Sequence, residues 1–280
     1  MPLNKDAIIH LEQNQAAITL SDKLITYFDN EYLSTNVIAV PKDHGVELES
    51  LERYQPARDR FRGTMTTESI EDFATYANSK SENTTYINAQ DMNAKAFFNL
   101  GNHDHAGHGD DVASIRLKPT AAFRALTRIN DSKLGQKEAA EFIEDWQANV
   151  MDITGDIGES ITVKVAANAL RNITVSATQT QEHGEHNFGR ERSARESIQA
   201  QAKEARPNFV YFRCIPYAGL PERTFVFRVG ILTASEPKVV LRIINLETHE
   251  EEMAQEFKEI LTEKLDEKAN VYVGSFSLGS

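Results

Sequence analysis

The residues with the clearest chemical potential lie in one glycine-rich stretch, residues 101–111, between two apolar runs. Imidazole nitrogens and carboxylate oxygens are ligands that zinc, manganese or iron accept, and glycines let a loop fold back so that several ligands meet. His103, His105, His108 and Asp110 therefore form a local candidate set for one divalent metal such as zinc. The alternative is a polar, solvent-exposed turn that needs no metal.

The start of this stretch also has a catalytic interpretation. Gly101-Asn102-His103-Asp104 resembles the Gly-Asn-His-Asp/Glu signature of the calcineurin-like metallophosphoesterases, in which the asparagine and histidine serve a two-metal centre. Such a centre also needs about two further carboxylates and two or three further histidines from other loops. Upstream, Asp43 and His44 are adjacent rather than spaced as Asp-x-His, and downstream Glu159 stands where an asparagine or aspartate is expected. A metal-dependent phosphoesterase is therefore an alternative to a protein without catalytic activity.

Two further segments suggest binding to anions. Arg58, Arg60 and Arg62 alternate, and on an extended strand their guanidinium groups share one face that could hold nucleic acid or another anion. The alternative is ordinary exposed arginines paired with carboxylates. The runs 209–213 and 225–228 interleave aromatic residues with arginine, which would suit base stacking on an exposed sheet. Their apolar flanks favour aromatic rings that pack under helices instead.

The composition limits the function classes. A formal net charge of −12 argues against a surface that attracts nucleic acid everywhere, although local basic patches remain open. The 280 residues are 40% hydrophobic, which is enough for a core. The chain has neither an apolar run that spans a bilayer nor the basic-then-apolar N-terminus of a secretion signal, so we expect a cytoplasmic protein without a membrane partner. Cys214 lies in an apolar run and is expected to be buried.

The order of predicted elements gives an α+β fold, with an antiparallel or mixed sheet and packed helices. We expect a helical arm at residues 1–40, an α+β region at 41–152 that carries the histidine-rich loop between two strands, and a strand-rich region at 153–280 that could share a domain with the preceding one. Thr67 is predicted to cap a helix, and Thr248 with Glu251 is predicted to open another as a capping box. Another predicted helix opens at Pro119, and a longer one carries an apolar stripe from Ala139 to Val150. The predicted strands include 37–40, 161–165, 173–178, 209–215, 224–232, 238–246 and 271–276, although residues 166–170 would also suit a helix.

Residues 179–207 are polar and charged, and no core can be built from them. Long excursions of this kind are commonly functional or assembly elements. Together with the N-terminal arm, this excursion predicts a protein that self-associates into a homo-oligomer.

Several blocks of the chain resemble one known family. Residues 51–63 and Asp72-Phe73-Ala74 resemble the opening of the YfdQ-like proteins, a family of unknown function encoded in prophages and tailed phages. Residues 103–117 and 136–145 are similar to the next two blocks of that family. The chain departs from the pattern at a charged insert around Arg190 and at Phe123, where a tryptophan is usual. The resemblance implies a phage context but no established activity. We therefore expect a non-catalytic, homo-oligomeric accessory protein, with nucleic-acid binding and phosphoesterase activity as the alternatives.

Overall fold

The computed structural model describes residues 5, 8–12, 14–15, 37–42, 45–50, 52, 57–58, 60–80, 82–173, 206–232 and 237–278. The chain divides into two compact units, Met1–Gly63 and Thr64–Ser280. Most of the predicted arm, residues 174–178 of the strand predicted at 173–178, and residues 179–205 of the predicted excursion lie outside the described residues. Among the described residues, no helix combines the length and apolar character that crossing a bilayer requires.

The first unit contains a two-stranded hairpin. Strands β1 (Val37–Lys42) and β2 (Gly45–Ser50) pair antiparallel, with Lys42 opposite Gly45. The strand predicted at 37–40 extends further, to Lys42, and includes Pro41 opposite Val46. A proline is tolerated in a two-stranded sheet because each strand has a partner on one side only. The proline nitrogen, which has no N–H to donate, can point to the other side.

The second unit begins with a mixed sheet, called the first sheet here, in the order β12-β4-β5-β6-β3. Strand β12 runs parallel to β4, while β4–β5 and β5–β6 are antiparallel. The histidine-rich loop therefore joins two neighbouring strands of one sheet, as predicted. The strands are β3 (Gly63–Thr67), β4 (Asn83–Asn88), β5 (Asn93–Phe97), β6 (Asp111–Arg116) and β12 (Ala269–Val273).

The second sheet is antiparallel, in the order β7-β11-β10-β9-β8. Its three central strands correspond to the strands predicted at 209–215, 224–232 and 238–246. The α+β prediction is therefore confirmed. The strands are β7 (Lys133–Gly135), β8 (Val150–Gly155), β9 (Pro207–Cys214), β10 (Arg223–Leu232) and β11 (Lys238–Ile243).

Five helices of the second unit have described bounds: α1 (Ile70–Asn78), α2 (Ala121–Ile129), α3 (Gln136–Asp145), α4 (Val163–Arg171) and α5 (Leu246–Lys264). Side-chain oxygens of Ser69, Thr120 and Thr162 accept backbone N–H bonds at the starts of α1, α2 and α4. Helices α3 and α4 pack on each other and on the second sheet, and α1 packs on β6 and α5. One hydrophobic core joins these helices to both sheets.

Four details of the predicted elements are wrong. Helix α1 starts after Ser69, since Thr67 belongs to β3. Helix α5 starts at Leu246, so Thr248 lies inside it and caps nothing. The strand predicted at 161–165 is replaced from Val163 by helix α4, which agrees with the helix alternative for residues 166–170, because alanines at i, i+1 and i+3 fill the space beside α3. Val150 begins β8 rather than ending α3.

Candidate functional site

The histidine-rich stretch forms the tip of a β-hairpin, residues 98–111, called the histidine hairpin here. Phe98 N–H donates to the Asp111 carbonyl at 3.0 Å, and Gly107 N–H donates to the Leu100 carbonyl at 2.8 Å, so the β5–β6 pairing continues outward. Gly101 and Ala106 face each other across the last bridge. Residues 102–105 then close the turn.

The glycines of the hairpin are required by its backbone rather than by a bound ion. Gly101 has a φ of +70°, and a Cβ at this position would lie 2.1 Å from the His105 carbonyl oxygen. A Cβ on Gly107 would lie 2.0 Å from the Asn99 carbonyl oxygen. Both distances are too short for any side chain, so only glycine allows the two strands to approach this closely.

Two asparagine side chains hold the hairpin. The Asn102 amide oxygen accepts the N–H groups of Asp104 at 3.0 Å and His105 at 2.8 Å, which is an Asx-type turn. At the base, Asn99 donates to the Asp110 carboxylate at 2.8 Å and accepts the Asp111 N–H at 3.0 Å. The asparagine of the phosphoesterase-like signature is thus occupied by turn hydrogen bonds.

The candidate metal ligands are not gathered around one point. His103, His105 and His108 are all exposed, and Asp110 is held by Asn99. Among the residues that the structure describes, which include these four, no group of three or more His, Cys, Asp or Glu side chains is placed to hold a metal ion. Metal binding at this hairpin therefore stays a prediction that would need the turn to rearrange, and so does a phosphoesterase centre.

Sequence reasoning missed one charged pair at the base of the hairpin. Asp111 is 7% exposed, and its carboxylate lies 3.8 Å from the Lys80 ammonium group. The ammonium group also lies 5.1 Å from the centre of the Tyr76 ring and 5.5 Å from that of Phe98. Cations are attracted to aromatic ring faces, so both rings help to hold Lys80 beside the carboxylate. No sequence signal links these residues, because their contact is long-range.

The predicted anion site near residue 60 belongs to the first unit. Positions 57–58 and 60–62 are bends and irregular backbone that precede β3, so they do not form the extended strand on which the three guanidinium groups would share one face. Arg58 and Arg62 are exposed, Arg60 is half-buried, and Arg62 forms an ion pair with Glu52. Anion or nucleic-acid binding by Arg58, Arg60 and Arg62 stays a prediction.

A groove of about 760 Å³ lies between α5, the start of α2 and the β4–β5 turn. Its wall includes Phe123 and Tyr217, whose ring centres are 5.6 Å apart, and its rim includes Glu250 and Lys258. Burial, with a smaller effect of the Glu250 charge, raises the pKa of the Tyr217 hydroxyl, so this group is a neutral hydrogen-bond donor at physiological pH. The groove offers an aromatic wall and polar groups of both charges.

The aromatic and arginine runs of β9 and β10 are divided between the two faces of the second sheet. Phe212, Phe225 and Phe227 are fully buried under the helices, as the sequence favoured. Phe142 of α3 stacks on Phe212 with ring centres 6.0 Å apart. The intervening residues of both strands lie on the opposite face.

A family model described as "Uncharacterized conserved protein (DUF2303)" matches residues 8–276. The chain belongs to this family. No curated protein and no solved structure matches the chain. The DUF2303 match spans both compact units, so the histidine hairpin, the groove and both sheets all lie within the family region. The description of the family names no activity.

Proposed function

We propose that this DUF2303 protein is a non-catalytic binding and assembly protein, whose subunits associate by pairing the β12 edges of their first sheets. The observation that carries the proposal is the outer edge of β12. In the described part of the chain, β12 has a neighbouring strand, β4, on one side only. An edge strand of this kind presents backbone groups that can pair with another strand.

The hydrogen bonds of β12 identify which of its groups face outward. Gly274 N–H donates to the Ile87 carbonyl of β4 at 2.8 Å. Backbone groups of successive residues in a strand point to opposite sides, so Tyr272 also faces β4, while the N–H and C=O groups of Val271 and Val273 face away from it. A second copy of β12 running antiparallel would satisfy these groups symmetrically.

The side chains at this edge also favour an apolar partner. Tyr272 is 53% exposed and Val273 is 64% exposed. The Tyr272 ring stacks on Tyr86 of β4, with ring centres 5.5 Å apart, so the edge strand is fixed to its own sheet. Pairing two copies would cover these apolar side chains and join two five-stranded sheets into one of ten strands.

The test is the mass of the full chain in solution. We expect light scattering after size exclusion, at micromolar concentrations, to give a dimer or larger oligomer for the unmodified chain. Val273→Lys places a charge at the edge and should raise the dissociation constant about tenfold or more, because edge lysines oppose strand pairing. Ile157→Lys is the matched control, since Ile157 is 91% exposed in a turn outside the sheets, and it should leave the mass unchanged.

Two results would contradict the proposal. A chain that is monomeric throughout this concentration range does not self-associate. A Val273→Lys variant that assembles like the unmodified chain excludes the β12 edge and leaves residues 1–40 and 179–207 as the contacts expected from the sequence.

We further propose, from the resemblance to the YfdQ-like proteins, that the gene belongs to a prophage or tailed phage and that the protein acts in the bacterial cytoplasm. The resemblance of residues 51–63, 103–117 and 136–145 supports this assignment. Transcript of the gene should rise when prophages of the host are induced by DNA damage. A transcript level that stays constant while the prophages excise would contradict it.

A further inference from the structure

We propose that the outer face of the second sheet binds single-stranded nucleic acid. This face, called the arginine face here, faces away from α3 and α4 and is formed by alternate residues of the three central strands. They are Phe209, Tyr211 and Arg213 of β9, Thr224, Val226 and Arg228 of β10, and Lys238, Val240 and Arg242 of β11. None of these positions carries an acidic residue, in a chain whose net charge is −12.

The register of the strands brings two arginines face to face. Arg228 of β10 is directly opposite Arg242 of β11, and on the other side Arg228 is directly opposite Phe209 of β9. Side chains at directly opposite positions lie about 4.5–5.5 Å apart at Cβ, and like charges at this distance destabilise a sheet. An anion bound between the two guanidinium groups would remove this repulsion and accept hydrogen bonds from both.

The charges of the arginine face are only partly compensated within the described part of the chain. Arg228 is exposed and has neither an ion pair nor a hydrogen bond to described residues. Arg242 is 72% exposed and lies 3.9 Å from the Asp131 carboxylate, and Arg213 lies 3.3 Å from that of Glu222. Ion pairs this exposed are weak, so a phosphate group can compete for both arginines.

Aromatic rings beside these charges favour nucleic acid over other polyanions. Phe209 and Tyr211 are half-buried on the arginine face. An aromatic ring that is partly open to solvent on a flat sheet can stack with a base, while neighbouring arginines bind the phosphates. Single strands fit this arrangement better than a duplex, because their bases are free to stack on side chains. The residue directly opposite Tyr211 on β8 is Asp152, which accepts a hydrogen bond from Ser160 at 2.5 Å.

The test is the binding of the full chain to a fluorescently labelled oligothymidine of about 20 nucleotides, measured by anisotropy at several salt concentrations. Three arginine contacts predict a slope of log K against log salt of about −2. Arg228→Glu with Arg242→Glu should weaken binding by about tenfold or more, because both phosphate contacts are lost. Arg116→Glu is the matched control, since Arg116 is an exposed arginine on a strand of the first sheet, and it should change the affinity less than about twofold.

A separate variant tests the contribution of stacking. Tyr211→Leu keeps an apolar side chain on the sheet but removes the ring, and it should weaken oligothymidine binding by about fivefold or more. Circular dichroism and thermal unfolding check that each variant is folded. The dimer dissociation constant should be unaffected by these substitutions, because the arginine face lies outside the first sheet.

Four outcomes would overturn the inference. The first is no binding to oligothymidine at low salt, and the second is equal weakening by Arg116→Glu and by the double substitution. The third is equal affinity for a duplex of the same length. The fourth is equally tight binding of heparin together with no effect of Tyr211→Leu, which would identify a general polyanion site.

Discussion

We expect Arg223 to be the charged residue whose loss costs this fold most. Arg223 begins β10 beneath α5, and its side chain is only 10% exposed. Its guanidinium group donates to the Glu256 carboxylate at 2.6 Å, to the Glu252 carboxylate at 2.9 Å and to the His249 carbonyl at 3.4 Å. One side chain therefore fixes the first half of α5 to the second sheet.

The expected loss of stability depends on how deeply the carboxylates that bind Arg223 are buried. Removing one member of a fully buried ion pair costs about 3–5 kcal/mol, because the remaining charge stays without a partner. Glu256 is 30% exposed, so water would restore part of this loss. Glu252 is 57% exposed, and its pair contributes at most about 1 kcal/mol. We therefore expect Arg223→Met to lower the free energy of unfolding by about 2–3 kcal/mol.

The assay is urea unfolding followed by circular dichroism, supported by a thermal melt. For a unit of this size the loss corresponds to a decrease in Tm of about 5–10 °C. Arg228→Met is the matched control on the same strand and should change stability by less than about 0.5 kcal/mol, because Arg228 is exposed. Adding Glu256→Met to Arg223→Met should recover at least about 1 kcal/mol, since no charge is then left buried. The reasoning would be refuted if Arg223→Met lowered stability no more than Arg228→Met does. It would also be refuted if the losses of stability from Arg223→Met and Glu256→Met simply added in the double variant.

Two further predictions test the second unit. Burial, with a smaller effect of the Glu222 charge, raises the pKa of the Cys214 thiol to about 11, so at pH 8 the folded chain should react with a thiol reagent far more slowly than the denatured chain. Because the pKa of this thiol is higher in the folded state, the contribution of Cys214 to the free energy of unfolding should be complete below about pH 9 and be lost as the pH rises toward 11. Equal labelling rates of the folded and the denatured chain would contradict the predicted protection of the thiol. Gly101→Ala should cost about 1–3 kcal/mol within the histidine hairpin and speed amide exchange at Gly107, because a Cβ meets the His105 carbonyl. Gly135→Ala, where a Cβ meets nothing within 4 Å, is the control, and equal exchange in both variants would be inconsistent with the clash.

Local pattern was sufficient for most elements of the fold. Phe123, Leu126 and Ile129 recur every three residues, which places them on one side of a helix and predicts α2, and all three are buried in the structure. The alternation in residues 209–213 predicts β9. Patterns of this kind depend on each residue and its near neighbours, so they can be read without knowing the partner elements. Errors arose where two elements compete for one residue, as at Thr67, which ends β3 instead of capping α1.

The candidate sites depended more strongly on tertiary structure. The sequence identifies the histidines and glycines of residues 101–111, but the glycines serve the close approach of two strands. The opposition of Arg228 and Arg242 follows from the register of β10 and β11, and the parallel pairing of β12 with β4 joins segments 186 positions apart at Ala269 and Asn83.

The sequence by itself therefore determined the α+β class, most of the helices and strands, the hairpin position of the histidines and the burial of Cys214. Only the tertiary structure decided that β12 lies at an edge among the described strands, that Arg223 is buried, and that Arg228 and Arg242 are directly opposite each other in the second sheet. The physical reason is that helix and strand periodicity is set by local sequence, whereas strand order and register are set by how all the apolar faces pack together.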